Sequence, residues 1–221
     1  MGLLKAALLP VTQFQQNCAF IWDEDSKVAA VFDPGGDVER ILAAIDQLGV
    51  TVEQIVLTHG HLDHAGGADA LREALRQRAG DPSAAPVVGP DSRDEFLLSG
   101  LARQAAQYGF DGMRNVAPDR WLTEGETVTI GVHAFQVLHC PGHTPGHLVY
   151  VNTAARVAIV GDVLFQGSVG RTDFPYGDHD ALISSIKTKL LPLGDDIGFA
   201  CGHGPGSTFG QERQTNPFLQ G

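Results

Sequence analysis

The sequence predicts a mixed fold of β-strands and α-helices, in the α/β or α+β class. Short runs with the apolar or alternating pattern of strands recur along the whole chain, and longer stretches with apolar residues at helical spacing lie between them. These elements form two comparable sets, at about residues 1–115 and 120–221. A chain of 221 residues with 43% hydrophobic content can bury a substantial core, so we expect a single domain made of two halves.

Strand patterns occur in both sets. In the first set they cover residues 1–10, 17–22, 28–32, 54–58 and 87–89, and in the second 127–130, 133–138, 148–151, 157–160 and 197–201. Helical patterns cover residues 67–78, 91–108 and 180–190, and a final helix and tail are expected over 208–221. The best-defined helix begins after Asp37: Ile41, Ile45 and Leu48 share one face, and Gly49 marks its end.

The densest group of reactive side chains is the segment His-Gly-His-Leu-Asp-His at residues 59–64, directly after the apolar run 54–58. Such a cluster is costly to bury unless a cation compensates it, and divalent metals suit neutral imidazole and carboxylate. The alternative is a pair of surface histidines at a helix start. Against that alternative, His143, Asp162 and His203 each lie where an apolar strand gives way to a glycine-rich turn. This set of nitrogen and oxygen ligands is large enough for two ions, whereas a structural zinc usually has four ligands and often cysteines.

The order HxHxDH, His, Asp, His resembles the metallo-β-lactamase superfamily, and within it the glyoxalase II (hydroxyacylglutathione hydrolase) branch. The matching segments are Asp33-Pro34-Gly35-Gly36, Thr58, Pro-Gly-His-Thr-Pro-Gly-His at 141–147, and Gly170-Arg171-Thr172-Asp173-Phe174. The resemblance spans residues 33–203 and implies an α+β fold, a four-layer αββα sandwich with the metal ligands at one edge of the sheets. Typical glyoxalase II enzymes continue into a helical domain that contacts glutathione, whereas this chain stops soon after His203. It therefore resembles the single-domain bacterial type.

The resemblance also implies a ligand set. It assigns seven residues to two divalent ions: His59, His61 and His143 for the first, Asp63, His64 and His203 for the second, and Asp162 as the bridge between them. Zinc is the expected metal, and iron or manganese also suits such ligands. The implied reaction is hydrolysis of a hydroxyacyl-glutathione thioester such as S-lactoylglutathione by a hydroxide shared by the two ions, with a thiolate as a good leaving group. Asp63 is expected to be catalytic, as acceptor of the proton from water, or to be a ligand alone.

Other residues lie beside the predicted site. Arg171 and Tyr176, in the glycine-rich loop 167–177, are expected to contact the substrate, with a pair between Arg171 and Asp173 or Asp33 as the alternative for the arginine. Asp33 is expected to accept a hydrogen bond from a metal-binding histidine, or to be a turn residue. No ligand role is expected for the remaining histidines and cysteines in these regions, which are His133, His139, His147, His179, Cys140 and Cys201.

Composition excludes several classes of function. A net charge of −11 with no cluster of Lys and Arg argues against binding to nucleic acid. No apolar run approaches the roughly 20 residues that span a bilayer, and residues 1–10 lack the features of a signal peptide, so no membrane association is expected. Three cysteines, an odd number, fit a reducing compartment, and the cytoplasm is expected. The expected partner is a small glutathione-derived thioester, and the chain would be a monomer or a small homo-oligomer.

Two other functions stay open at this stage. A persulfide dioxygenase with a single iron ion shares the fold and a Gly-Arg-Thr-Asp-Phe segment like that at 170–174. A non-catalytic metal-binding module is the second, although a structural role would not require seven ligands with open metal positions.

Overall fold

The computed structural model describes residues 2–110 and 112–220. Met1, in the first predicted strand, and Gly221, in the predicted tail, lie outside these ranges. The strands of the described ranges are β1 (Leu4–Val11), β2 (Gln16–Asp23), β3 (Val28–Phe32), β4 (Thr51–Val56), β5 (Val87–Val88), β6 (Thr127–Ile130), β7 (His133–His139), β8 (Leu148–Asn152), β9 (Val157–Gly161), β10 (Leu164–Phe165), β11 (Ser168–Val169), β12 (Gly198–Cys201) and β13 (Ser207–Thr208).

The described ranges also contain α-helices, two of them long and the others short. They are α1 (Val38–Leu48), α2 (Leu62–Ala65), α3 (Ala68–Ala79), α4 (Glu95–Leu98), α5 (Leu101–Gln107), α6 (His179–Ser185) and α7 (Phe209–Thr215). Short 3-10 turns cover Ser92–Asp94 and Leu191–Leu193, and Ile186–Leu190 forms a π-helical turn. All ten predicted strands are confirmed, with bounds that shift by up to three residues.

The first sheet has the order β1-β2-β3-β4-β5. Its first three strands are antiparallel because short turns connect them. Two helical connections then bring the chain back in the same direction: α1 lies between β3 and β4, and α3 lies between β4 and β5, so these strands pair in parallel.

The second sheet has the order β13-β12-β9-β8-β7-β6. β6 to β9 form an antiparallel meander, and β12 adds in parallel to β9 after the long connection through α6. The short strand β13 pairs antiparallel with the outer side of β12. Both sheets therefore contain parallel neighbours, β3 with β4 and β4 with β5 in the first and β9 with β12 in the second.

Alternating side chains of the two sheets build three apolar layers. Between the sheets, the ring centroid of Phe32 lies 6.4 Å from that of Phe135 and 5.4 Å from that of Tyr150. Val31 points the opposite way and packs with α1 and α3, while Val149 packs with α6 and α7. The predicted α+β fold, a four-layer αββα sandwich, is confirmed.

Some predicted elements differ from the structure. The stretch predicted as one helix over 91–108 is broken into a 3-10 turn, α4 and α5, with Gly100 between the two helices. The helix predicted over 180–190 changes to a π-helical turn after Ser185. The hairpin of β10 and β11 was not predicted, because strands of two residues have no readable periodicity.

Five strands, β3, β4, β7, β9 and β12, end at one edge of the sandwich. The segments that follow them carry the conspicuous polar residues of the sequence. Among the described residues, no helix is long and apolar enough to cross a bilayer.

Candidate metal centre

The predicted ligands lie in the segments that follow these strand ends. After β4 the chain enters α2, which has His61 at its N-cap and Asp63 and His64 in its first turn. His143 lies in the loop between β7 and β8, Asp162 directly follows β9, and His203 lies two residues beyond β12. The strands therefore fix the points from which the ligand loops start.

Three buried imidazoles form a first group. Nδ1 of His61 lies 3.1 Å from Nε2 of His59 and 2.9 Å from Nε2 of His143. These three nitrogen atoms belong to separate rings that meet nearly edge to face. Their spacing matches a set of donors around one metal ion.

The opposite ring nitrogens determine which atoms carry a proton. Nδ1 of His143 lies 2.8 Å from the carbonyl oxygen of Arg171, which can only accept, so Nε2 presents a lone pair. Thr58 donates its hydroxyl to Oδ2 of Asp33 at 2.6 Å, so its oxygen accepts from Nδ1 of His59 at 3.0 Å. Nε2 of His59 is then unprotonated as well. At least two lone pairs therefore converge on the first group, where a cation fits.

Tyr176 contacts the third imidazole. Its hydroxyl lies 2.8 Å from Nε2 of His61, so the two groups are hydrogen-bonded. With a metal ion on Nδ1 of His61, Nε2 would carry the proton and donate it to the phenol. Burial raises the pKa of Tyr176 to about 12, so the phenol stays protonated at neutral pH. Tyr176 thus orients a predicted ligand, and its expected contact with substrate stays a prediction.

Asp63, His64 and His203 form a second group, in which Nε2 of His203 lies 3.1 Å from Oδ2 of Asp63. Asp162 lies between the groups. Its Oδ1 is 3.3 Å from Nε2 of His64, and its Oδ2 is 3.6 Å from Nε2 of His143 and 3.7 Å from Nε2 of His203. One carboxylate therefore faces both groups, as the predicted bridging ligand would.

Two buried atoms at this point lack a hydrogen-bond partner among the described residues. Nδ1 of His64 donates to Oδ2 of Asp33 at 2.9 Å, so in the neutral imidazole Nε2 of His64 presents a lone pair toward Oδ1 of Asp162. These two facing atoms are both buried. Two buried acceptors in contact are unfavourable unless a cation or a proton lies between them. The residues present therefore fit divalent metal ions, while the assignment of each ligand stays a prediction.

The pKa shifts agree with this arrangement. Burial lowers the pKa of His59 well below its usual value and that of His61 to about 3, so the first group is neutral. Burial opposes a charge on His64, but Asp162 and Asp63 outweigh it and raise the pKa of this imidazole well above its usual value. Burial likewise opposes ionisation of Asp162, yet His64, His143 and His203 lower its pKa. The site stabilises positive charge between its carboxylates.

Asp33 is connected to both groups. Its Oδ2 accepts from His64 directly and is linked to His59 through the hydroxyl of Thr58, and its Oδ1 accepts from the backbone N–H of Thr58 at 2.7 Å. The structure thus contains the expected hydrogen bond between Asp33 and a predicted ligand. Because these bonds occupy the atoms concerned, the cluster of Asp33, His59 and His64 is not a separate metal site.

Close packing requires glycine beside the second group. A Cβ atom at Gly202 would lie 2.0 Å from Oδ1 of Asp162 and 2.6 Å from Cε1 of His64. A larger residue there would displace both ligands. The Cys-Gly-His segment after β12 therefore suits the space that the ligands need.

A cavity of about 440 Å³ opens beside the two groups. Its walls are mainly apolar and aromatic, formed by Phe14, Leu62, Tyr108, Phe165, Val169 and Phe174. Gln104, Ser168 and Arg171 are the polar residues that line it in addition to predicted ligands. A substrate would therefore meet polar chemistry at the ligand groups and apolar surface elsewhere.

The helix α7 supports one wall of this cavity. The buried carboxylate of Glu212 accepts from the backbone N–H of Gly167 at 2.7 Å, and Asn216 donates to the carbonyl oxygen of Ser168 at 2.9 Å. Gly167 and Ser168 belong to the turn and second strand of the β10–β11 hairpin, which also carries Phe165. The hairpin is therefore held by side chains as well as by its own short ladder.

Arg171 is paired with Asp173, the alternative that the sequence left open. Its Nε and Nη2 atoms donate to the two carboxylate oxygens of Asp173, both at 2.7 Å, and its guanidinium carbon lies 4.4 Å from the ring centroid of Phe174. Arg171 also lines the cavity, so its contact with substrate stays a prediction.

The other histidines and cysteines lie outside the two groups. His147 is buried, and its Nε2 accepts the backbone N–H of Asp162 at 3.0 Å. Cys140 and Cys201 are buried, and burial raises the pKa of their thiols to about 12 and about 11. Thiols that resist ionisation in this way are poor metal ligands, because a metal binds the thiolate.

Not every residue at the cavity could be recognised from sequence. Phe14 lies in the turn between β1 and β2, and Tyr108 follows α5, so they meet only in the folded chain, where their ring centroids are 5.7 Å apart. Neither residue belongs to a motif. Thr58 belongs to the motif, but its link between His59 and Asp33 arises only where the chain folds Asp33 against it.

Residues 11–203 match the Metallo-beta-lactamase superfamily. The chain therefore belongs to this superfamily, as its motifs predicted, and is a metallo-hydrolase. The hydroxyacylglutathione hydrolase GloC of Haemophilus influenzae is 47% identical over 213 residues, which cover 96% of each chain. This likeness confirms the resemblance to the glyoxalase II branch.

Two solved structures match over nearly the full length. BLEG-1, described as a B3 metallo-β-lactamase, has a TM-score of 0.86 and 37% identity, over 98% of this chain and 100% of its own. TTHA1623, solved in a di-iron-bound form, has a TM-score of 0.83 and 36% identity, over 96% of this chain and 100% of its own. The predicted fold is thus found in solved relatives, one of them with two iron ions.

Replacement of Asp33 by Asn is expected to weaken metal binding at both groups by about ten- to hundredfold. An amide nitrogen in place of Oδ2 can only donate, so Nδ1 of His64 would have to lose its proton and accept. The proton of the neutral imidazole would then lie on Nε2, which could not bind a metal. Metal affinity is measured on metal-free protein by competition with a coloured chelator. Asp37→Asn is the matched control, because Asp37 has the same left-handed backbone but bonds Thr12 and Arg40 instead. Equal affinities for the wild type and Asp33→Asn would contradict the role of Asp33.

Proposed function

We propose that this protein hydrolyses the thioester of a hydroxyacyl-glutathione such as S-lactoylglutathione. The observation that carries the proposal is the convergence of two ligand groups on Asp162 beside an open cavity. The likeness to a hydroxyacylglutathione hydrolase over almost the whole chain supports the substrate class.

In this proposal the seven side chains hold two divalent ions, with His59, His61 and His143 on one, Asp63, His64 and His203 on the other, and Asp162 on both. Ions bound there would supply a water molecule of near-neutral pKa and a Lewis acid for a carbonyl oxygen. Zinc is the proposed metal, because neutral imidazole and carboxylate suit it. Iron is the alternative, which the di-iron form of TTHA1623 supports.

Asp63 is the proposed acceptor of the proton that hydrolysis releases. Its side chain lines the cavity and is 22% exposed, against 11% for Asp162, both of whose oxygens face imidazoles. Burial opposes ionisation of Asp63, but His64 and His203 lower its pKa, so the carboxylate is ionised at neutral pH and has a free oxygen lone pair for a proton.

The cavity suits a leaving group that needs no strong acid. A thiol has a pKa of about 8.5 and departs readily as thiolate, whereas an amine must first be protonated. Among the residues that the structure describes, no lysine lines the cavity, and the histidines that do, His61, His143 and His203, are all predicted ligands. This composition favours a thioester over an amide as substrate.

The cavity walls predict broad tolerance for the thiol portion. Phe14, Tyr108 and Phe165 offer apolar contact, and Arg171 is the one cation that lines the cavity in the described part of the chain. Since Asp173 already pairs with Arg171, the carboxylates of glutathione find little free positive charge from side chains. We therefore expect hydrolysis of several glutathione thioesters with a high KM, because such uniform contacts affect KM more than kcat.

The direct test is steady-state kinetics on a panel of thioesters, lactones and β-lactams, with metal-free protein reloaded with zinc, iron or manganese. We expect S-lactoylglutathione to be turned over with a higher kcat/KM than any β-lactam. Asp162→Ala should lose nearly all turnover, while Cys140→Ala should stay within about tenfold of the wild type, since Cys140 lies outside both ligand groups. Absence of thioester turnover with every metal, together with oxygen uptake on glutathione persulfide, would favour the dioxygenase instead.

Replacement of Asp173 by Asn is expected to lower the KM for S-lactoylglutathione by roughly two- to fivefold, the range of an exposed ion pair, with kcat unchanged. The substitution weakens the bidentate pair and frees Arg171 for a substrate carboxylate. The gain should disappear at high salt, because both side chains are exposed.

An uncharged thioester, the N-acetylcysteamine ester of lactate, provides the control substrate, and its KM should not change. Asp195→Asn, which releases the exposed Arg213 away from the cavity, provides the control variant. An equal fall in KM for the uncharged substrate, or a rise for S-lactoylglutathione, would show that Arg171 does not bind the glutathione portion.

A further inference from the structure

A buried carboxylate outside the ligand set connects the loops of the first metal group. Asp94 is fully buried at the end of the 3-10 turn before α4. Its Oδ2 accepts from the backbone N–H of Gly60 at 2.9 Å and from the hydroxyl of Thr144 at 2.7 Å, and its Oδ1 accepts from the backbone N–H of Gly146 at 2.6 Å.

These three donors belong to the two ligand loops. Gly60 separates His59 from His61, and Thr144 directly follows His143. The loops come from different sheets, one after β4 and the other between β7 and β8. One carboxylate therefore joins the segments that carry all three imidazoles of the first group.

The carboxylate of Asp94 is closely packed against the His143 loop, and its negative charge has little compensation. A Cβ atom at Gly146 would lie 2.8 Å from Cγ of Asp94 and 2.6 Å from the carbonyl oxygen of Asp91. The partners that Asp94 has in the described ranges are neutral donors, without a Lys or Arg. A buried carboxylate is costly unless its hydrogen bonds or a nearby positive charge compensate it.

We propose that Asp94 is a positioning residue, which holds the His59–His61 loop and the His143 loop at the separation that the first metal ion requires. The inference rests on the proposed function, since it presumes that these imidazoles bind a metal. Among the described residues, the hydrogen bonds of the Asp94 carboxylate go to Gly60, Thr144 and Gly146 and not to a ligand, and Asp94 does not line the cavity, so it acts on metal binding through the two loops.

Asp94→Asn is a sharp test because either orientation of the amide fails. If the amide nitrogen replaces Oδ2 it faces the N–H of Gly60, and if it replaces Oδ1 it faces the N–H of Gly146. Asp91→Asn is the matched control in the same turn, because Oδ1 of Asp91 accepts from the backbone N–H of Arg93 and lies 3.7 Å from Nε of the same residue, and an amide oxygen can accept from both.

Stepwise affinities for zinc are measured on metal-free protein by chelator competition, and the step that disappears in His143→Ala identifies the first group. We expect Asp94→Asn to weaken that step by about ten- to hundredfold and the second step by less. Asp91→Asn should match the wild type. Folding of each variant is checked by near-UV circular dichroism.

A second pair of variants decides the matter if Asp94→Asn does not fold. Thr144→Val removes one of the three donors and should weaken the first step, whereas Thr144→Ser keeps the hydroxyl and should restore it. Unchanged first-step affinity in folded Asp94→Asn, or equal affinities for Thr144→Val and Thr144→Ser, would overturn the role of Asp94. A wild type without any first step would instead contradict the proposed function itself.

Discussion

Seven polar side chains are held in contact at one edge of the sandwich, and the site depends on compensation, by a cation or a proton, of the repulsion among their lone pairs and carboxylate charges. Nε2 of His64 and Oδ1 of Asp162 face each other at 3.3 Å without a hydrogen-bond partner among the described residues, and Nε2 of His59 and Nε2 of His143 both face Nδ1 of His61. Apolar packing of the two sheets brings these atoms together, and divalent cations would turn the repulsion into attraction.

The hydrogen bonds that the predicted ligands form with neighbouring groups determine which of their ring nitrogens can bind a metal. Asp33 directs His64, and through Thr58 it directs His59, while a backbone carbonyl directs His143. In the neutral imidazoles each bond fixes a tautomer in which the nitrogen that faces the centre carries no proton. Since Asp33 follows β3 and His59 follows β4, the parallel pairing of these strands places the partner beside the ligand. The pairing of β3 with β4 thus helps to determine which ring nitrogens of His59 and His64 carry a proton.

Much of this arrangement could be predicted from sequence, because its signals are local. The HxHxDH segment follows a buried strand, and His143, Asp162 and His203 each follow another. The family resemblance that these motifs carry implied that they meet at one edge of the sheets. What could not be predicted depends on distant contacts. Nothing in the sequence links Tyr176 to His61 or Asp94 to Gly60, and the stretch of Asp94 reads as continuous helix although it is broken at Gly100. The β10–β11 hairpin is too short to leave a pattern.

Metal stoichiometry tests the central claim most directly. Metal-free protein is reloaded with excess zinc, dialysed against metal-free buffer and analysed by mass spectrometry of the metal, beside a double variant, His64→Ala with His203→Ala, that removes two ligands of the second group only. The account predicts about two ions per chain for the wild type and about one for the double variant, because the three imidazoles of the first group remain. One ion per chain in both proteins would contradict the two-ion centre.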